Sequence, residues 1–159
     1  MITILTTLLL LTTTAYCAKI HEPSDYDERV VTITILAEAR GEGKAGMYAV
    51  ACVIRKRMDE KKKPAAAVCL QSAYVTSLHR RIYQFSCWGK SDKELFKLLN
   101  GSKEHLYAMS LAVAVIHGGL KLEYVKHANH YCTLKTHNYW TKGQKPVKVI
   151  GNHKFFKLD

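Results

Sequence analysis

Acidic residues are scarce in this chain of 159 residues: 13 Asp and Glu stand against 24 Lys and Arg, a formal net charge of +11. That imbalance points to a polyanionic partner, whether nucleic acid, an anionic membrane surface or a wall polymer. Proline is represented three times and glycine nine times, which excludes collagen-like and proline-rich architectures. No apolar run reaches the roughly 20 residues of a well-set transmembrane helix. Beyond the N-terminal segment there is no internal repeat or low-complexity tract, no glycine-rich phosphate loop and no paired CxxC. What remains is ordinary globular usage, 48% apolar and 23% charged, in a length that suits one domain with a real core.

The first 18 residues read as a segment outside the fold. Ile2 to Tyr16 is apolar or threonine and carries no charge, small residues follow at Ala15, Cys17 and Ala18, and the first charge is Lys19. The pattern is that of a secretory signal peptide over residues 1–18, which implies an exported protein; retention as a weak membrane anchor is the alternative. Export fits the remaining cysteines. Cys52, Cys69, Cys87 and Cys132 are even in number, and an oxidising compartment favours pairing. Cys69 with Cys87 is the expected disulfide, because the two flank a long loop, with Cys52 and Cys132 left as the second pair.

Along the rest of the chain the periodicity is first helical and then strand-like. Ser24 with Asp27 resembles a capping box opening a buried apolar helix that runs to Ala39 and breaks near Gly41. Met47, Val50, Ala51, Ile54 and Met58 form the stripe of a second helix, with Arg55, Lys56 and Asp59 off it. Lys61-Lys62-Lys63-Pro64 ends it, and Ala65 to Leu70 suits one or two helical turns. Residues 71–90 read as a long ordered loop. Ser91 with Glu94 caps a short helix through Leu99; Ser102 starts another, with Leu106, Met109, Val113 and Ile116 on its predicted buried face and Gly118-Gly119 as its stop. Ala128 to Leu134 then suits a strand, and Val147–Ile150 and His153–Phe156 flank the hairpin signal Gly151-Asn152. The fold class is therefore α+β: a mostly helical single domain, residues 24–159, with a small C-terminal antiparallel β-sheet.

Within this frame Glu38 stands out. A carboxyl at the end of an apolar helix is partly desolvated, which raises its pKa and suits it to general-acid chemistry; the structural alternative is a salt bridge to Arg40 or Lys44. Between Tyr124 and Leu158 lie seven lysines and no acid, interleaved with Tyr124, Tyr131, Tyr139, Trp140, Phe155 and Phe156. Aromatic faces stack on sugar rings and lysines suit acidic polymers. Phe155 or Phe156 is expected in the core and Tyr131 in a cleft.

Several segments, in order, resemble the motifs of the SleB/CwlJ-type cell-wall hydrolases. They are Ile35-Leu36-Ala37-Glu38-Ala39-Arg40-Gly41-Glu42-Gly43 with Gly46, Ala49-Val50-Ala51 and Val53-Ile54-Arg55-Lys56-Arg57; Gln84-Phe85-Ser86-Cys87; His130-Tyr131; Trp140; and Ile150-Gly151-Asn152-His153-Lys154-Phe155. The resemblance spans residues 30–156. It implies a lysozyme-like fold that cleaves peptidoglycan, with Glu38 as the catalytic acid and Glu42 beside it in support. Gln84, Ser86, His130, Tyr131 and Trp140 are the implied substrate-binding residues. No cofactor or metal is implied.

The bond expected to break is glycosidic, between N-acetylmuramic acid and N-acetylglucosamine. Glycosidases usually hold a second carboxylate, yet the strand-rich region offers only Glu123 before it and Asp159 at the chain end. A single glutamate acting as acid and then base, in a lytic transglycosylase, is the simplest mechanism. Two rivals remain. His127, His130, Cys132 and His153 would have to form the site of a zinc-dependent N-acetylmuramoyl-L-alanine amidase, or the chain is a basic wall-binding module without catalysis. The expected partner is the peptidoglycan glycan strand, bound by a monomer with no nucleic acid and at most weak membrane contact.

Overall fold

In the computed structural model, which describes residues 25–136 and 138–159, the β-branched run Val30-Val31-Thr32-Ile33-Thr34-Ile35 forms the middle of a helix, α1 (Asp25–Ala39). Helix propensity disfavours such residues by at most about 0.7 kcal/mol each. Burial overrides that preference, because each fully buried Val or Ile contributes roughly 1.5–3 kcal/mol. All six residues are buried, and α1 is the central element, packed against α2 (Gly43–Lys61), α3 (Ala65–Cys69) and α5 (Lys103–His117). The proposed signal segment 1–18 and Ser24 lie outside the described residues.

Asp27 has a use that the sequence did not reveal. Its buried carboxylate reaches across to α3, where Oδ1 accepts the amide hydrogen of Ala66 at 2.7 Å. The first turn of α1 thereby caps the first turn of α3, whose preceding residue is Pro64. Between α2 and α3 the chain reverses through Lys62 in the left-handed region, φ 51°.

Helix α5 starts where expected, with Ser102 Oγ accepting the His105 amide, and stops at Gly118, φ 81°. Its buried face differs from the predicted one. Ala108, Leu111, Ala112 and Val115 face the core, whereas Leu106, Met109 and Val113 are exposed. The period is right and the phase is not: two alanines on the inner face let α5 come close to α1, which a stripe of larger residues would prevent. Arg55 secures the far end of α5, its Nη1 donating to the carbonyls of Val115 and Ile116 at 3.1 Å each.

Residues 71–90, expected as a loop, contain a second sheet. Strands β1 (Ser72–Val75) and β2 (Arg80–Tyr83) pair antiparallel, with Ser72 opposite Tyr83 and Val75 opposite Arg80. Both faces are largely open to solvent, so the strands lack the apolar alternation by which a half-buried strand is recognised. A 3-10 turn, Ser86–Gly89, follows, and then α4 (Asp92–Phe96) with the Ser91/Glu94 capping box in place.

The C-terminal sheet has the order β3-β5-β4, from β3 (His130–Thr133), β4 (Lys148–Ile150) and β5 (His153–Phe156). Tyr131 lies opposite Phe155, and His130 opposite Phe156. Phe155 and Phe156 are both core residues. Phe155 joins a smaller core with Ala49, Cys52 and Val53 of α2 and with Val125 and Ala128, which seats the sheet on the helical layer.

The expected disulfides are not formed. Cys52, Cys69, Cys87 and Cys132 are all free and all buried. Cys69 and Cys87 belong to the main core and Cys52 to the smaller one beside β5, while Cys132 Sγ turns to the carbonyl of Thr136 at 3.8 Å. Burial pushes the thiols of Cys52 and Cys69 up to about 12 and that of Cys87 higher, so none of the three is a thiolate nucleophile near neutral pH.

Two outcomes follow from this packing. Asp27→Ala leaves the Ala66 amide buried without its acceptor and should cost about 1–3 kcal/mol in denaturant unfolding; an unchanged midpoint would remove the cap from the account. Alkylation of denatured, unreduced protein followed by peptide mapping should find Cys52, Cys69, Cys87 and Cys132 all modified, and any disulfide-linked peptide would contradict the free-thiol core.

Candidate active site

Glu38 sits in the last turn of α1 and is half-buried. Its Oε1 accepts the backbone N–H of Cys87 and its Oε2 accepts the phenol O–H of Tyr131, both at 3.0 Å. Among the described residues neither Arg40 nor Lys44 pairs with it; Lys44 instead lies over the Tyr107 ring. The turn that brings Cys87 to the carboxylate is itself pinned to α1. Trp88 Nε1 donates to Thr34 Oγ1 at 3.1 Å, one helical turn before Glu38 on the same face.

Tyr131 is held from several sides. His153 stands edge-on at 5.2 Å between ring centroids, with Phe155 at 5.7 Å and Phe85 at 6.3 Å. Burial and the charge of Glu38 hold its phenol well above the usual tyrosine value, so it remains a hydrogen-bond donor. Beneath it is Arg57, buried on α2. Its guanidinium lies 5.0 Å over the Phe85 ring, and its Nε donates to the Asn129 carbonyl at 2.6 Å. Among the described residues Nη1 has no hydrogen-bond partner. Burial pulls this guanidinium down from its ordinary value, an effect countered by Tyr131, Cys69, Glu60 and Glu38. Arg57 closes the motif Val53-Ile54-Arg55-Lys56-Arg57, and no neighbour in the chain marks a role for it. The available signal was its place seven residues after Val50, on the buried stripe of α2.

Glu42 occupies the 3-10 turn Arg40–Glu42 that follows α1. Its Oε2 accepts the Asn152 backbone N–H at 2.7 Å and its Oε1 accepts the Asn152 side-chain amide at 3.1 Å. The backbone hydrogen bond, helped by the Asn152 side chain and the charge of His153, draws its carboxyl below the usual range against a smaller opposing effect of burial. Two glycines make room for this clasp. A Cβ on Gly46 would lie 2.2 Å from Glu42 Cβ, and a Cβ on Gly151, which has φ 53°, would lie 2.0 Å from Glu42 Oε2. Both oxygens of Glu42 therefore hold the turn between β4 and β5.

The other candidates divide between two places. Gln84 and Ser86 are exposed in the segment that leads to the Cys87 amide, beside Glu38. His130 and Trp140 lie elsewhere. Neighbours on a strand point to opposite faces, and His130 faces Trp140 at 5.4 Å while Trp140 stands on Phe156. Tyr131, Phe155 and His153 share the other face. His130 Nδ1 is engaged with Asn129 Oδ1 at 2.9 Å, and burial is the largest influence holding its ring below the ordinary histidine value. The same alternation separates the residues of the zinc alternative: His153 is on the Tyr131 face, His130 and Cys132 are on the opposite one, and His127 pairs with Glu123 at 3.1 Å. Among the described residues no three His, Cys, Asp or Glu side chains converge as metal ligands.

A profile described as Cell Wall Hydrolase matches residues 41–156, beginning just after Glu38. No curated protein matches. Among solved structures, the catalytic domain of the germination-specific lytic transglycosylase SleB from Bacillus anthracis has the same fold, with a TM-score of 0.59 and 21% identity. The alignment covers 86% of this chain and 98% of that one. A family match over most of the chain, joined to a shared α+β fold, leads to one conclusion: the chain belongs to the cell wall hydrolase family and is a peptidoglycan hydrolase.

Proposed function

We propose that the enzyme is a lytic transglycosylase that cleaves between N-acetylmuramic acid and N-acetylglucosamine, with Glu38 as both acid and base. The observation that carries this reading is the position of the carboxylates. Glu38 is held by two neutral donors beside exposed Gln84 and Ser86, both oxygens of Glu42 are taken up by Asn152, and no Asp or Glu occurs from Tyr124 to Leu158. A hydrolytic mechanism needs a further group to activate water or to form a covalent intermediate.

In the proposed cycle the protonated Glu38 carboxyl gives its proton to the glycosidic oxygen as the bond to the muramic anomeric carbon breaks. The N-acetylglucosamine side leaves as a free alcohol. Glu38, now a carboxylate, takes the proton of the muramic 6-hydroxyl, and that oxygen bonds to the anomeric carbon to close a 1,6-anhydro ring. No water is consumed, and Glu38 ends protonated as it began. A carboxylate has about four lone-pair positions; the Cys87 amide and the Tyr131 phenol occupy two, which fixes its plane and leaves the others for substrate. Arg57 stacks over Phe85, whose ring neighbours Tyr131. Gln84 and Ser86 orient the sugar next to the carboxyl. The similarity to a lytic transglycosylase domain supports the same reaction class.

The matched family supports action at or outside the cell wall, and among the described residues no helix is long and apolar enough to cross a membrane. In this proposal residues 1–18 direct export, residues 24–159 form the catalytic domain, and the enzyme works as a monomer.

Glu38→Gln keeps the shape and loses the transferable proton, so wall-lysis rate should fall by roughly 10²-fold or more with the melting temperature unchanged. A folded variant with near-normal lysis would overturn the assignment. Mass spectrometry of fragments released by the native enzyme should show anhydro-muramic ends; reducing muramic ends alone would mean hydrolysis. Tyr131→Phe removes one hydrogen bond to the acid while keeping the aromatic packing. It should lower kcat about tenfold, the equivalent of about 1.4 kcal/mol, with little change in KM.

A further inference from the structure

A second surface has the character of a sugar site. Tyr48 on α2, Tyr107 on α5 and Tyr124 in the 3-10 turn Leu122–Val125 line an open groove of about 570 Å³ together with Lys44 and Lys121. Tyr48 and Tyr124 meet edge to face at 5.0 Å. The Tyr48 hydroxyl accepts the Lys121 amide at 2.9 Å, which fixes the groove floor to the segment after α5. Two ammonium groups are poised over the rings: Lys44 Nζ lies 5.4 Å from the centre of Tyr107, and Lys148 Nζ lies 5.6 Å from that of Tyr124. The acid at the rim, Glu123, is already engaged by Lys126 and His127. The groove therefore presents apolar ring faces with net positive charge above them.

This groove is separate from the Glu38 site. Tyr48 and Arg57 are nine residues apart on α2, two and a half turns, and so point to opposite sides of the helix. Arg57 faces Phe85 and the catalytic side; Tyr48 faces the groove.

We propose that this groove is a non-catalytic binding site for a muramyl peptide of the wall, a sugar ring bearing a carboxylate. The ring's C–H face lies on tyrosine, and the stem carboxylate takes an ammonium from above a tyrosine ring. A neutral sugar uses only the first half of the site, which makes the charged muramyl unit the preferred occupant. A strand held here would keep the enzyme on insoluble wall between cuts at the opposite side of α2.

The test uses the full chain and muramyl dipeptide followed by NMR titration, with a neutral N-acetylglucosamine tetramer alongside. Muramyl dipeptide should shift the resonances of Tyr48, Tyr107, Tyr124 and Lys44, and the tetramer should bind this face about tenfold more weakly. Lys44→Gln should weaken muramyl dipeptide binding about tenfold, Tyr107→Ala should abolish it and Tyr107→Phe should retain it. In both Lys44→Gln and Tyr107→Phe, turnover of a short soluble glycan should match that of the native enzyme, whereas sedimentation with purified wall should fall for Lys44→Gln. No shift at the tyrosines, or equal binding of the neutral tetramer, would overturn the proposal. So would wall binding that vanishes once anionic accessory polymers are stripped from the wall, because the ligand would then be one of those polymers. Failure here leaves the Glu38 assignment intact, since turnover of the soluble glycan reports that site alone.

Discussion

One carboxylate joins the helical layer to the hairpin that completes the fold. Glu42 holds Asn152 through its backbone and its side chain, and the fit is close enough that both flanking contacts, Gly46 and Gly151, have no room for a Cβ. With the turn fixed, β5 places His153 and Phe155 against Tyr131, and Tyr131 reaches the acid at the end of α1. Two glutamates one turn apart in the chain thus do different work. Glu42 sets where the sheet lies, and Glu38 is met by what the sheet carries.

The surroundings of Glu38 are governed by charge placed at a distance. Its direct partners are neutral, an amide and a phenol, while the nearby cation, Arg57, is buried behind aromatic rings. Arg57 instead stacks over the Phe85 ring and donates to the Asn129 carbonyl, which leaves both Glu38 oxygens to the Cys87 amide and the Tyr131 phenol.

Much of this was legible from residue pattern. The ends of α2 and α5, the Ser91/Glu94 box and the hairpin at Gly151-Asn152 are local signals, each carried by a few adjacent side chains. Three readings depended on what packs against what. The buried face of α5 is chosen by the alanines that allow close approach to α1. The strands β1 and β2 have solvent on both sides and so show no apolar alternation. The cysteines are even in number, as a disulfide framework would be, but they serve as small core residues in separate environments.

By itself the sequence determined the helices α1, α2 and α5, the C-terminal hairpin, the family motifs and the prominence of Glu38 and Glu42, because caps, helix periods and turn residues act within one or two turns of chain. Only the tertiary structure decided that Tyr131 turns toward Glu38 while His130 turns away, that Glu42 serves Asn152, and that Arg57 is the charge beneath the site. Strand alternation fixes that adjacent residues face apart but not which face meets the helices. That choice follows from seating Phe155 on α2 and clasping Asn152 to Glu42, contacts between residues about a hundred positions apart.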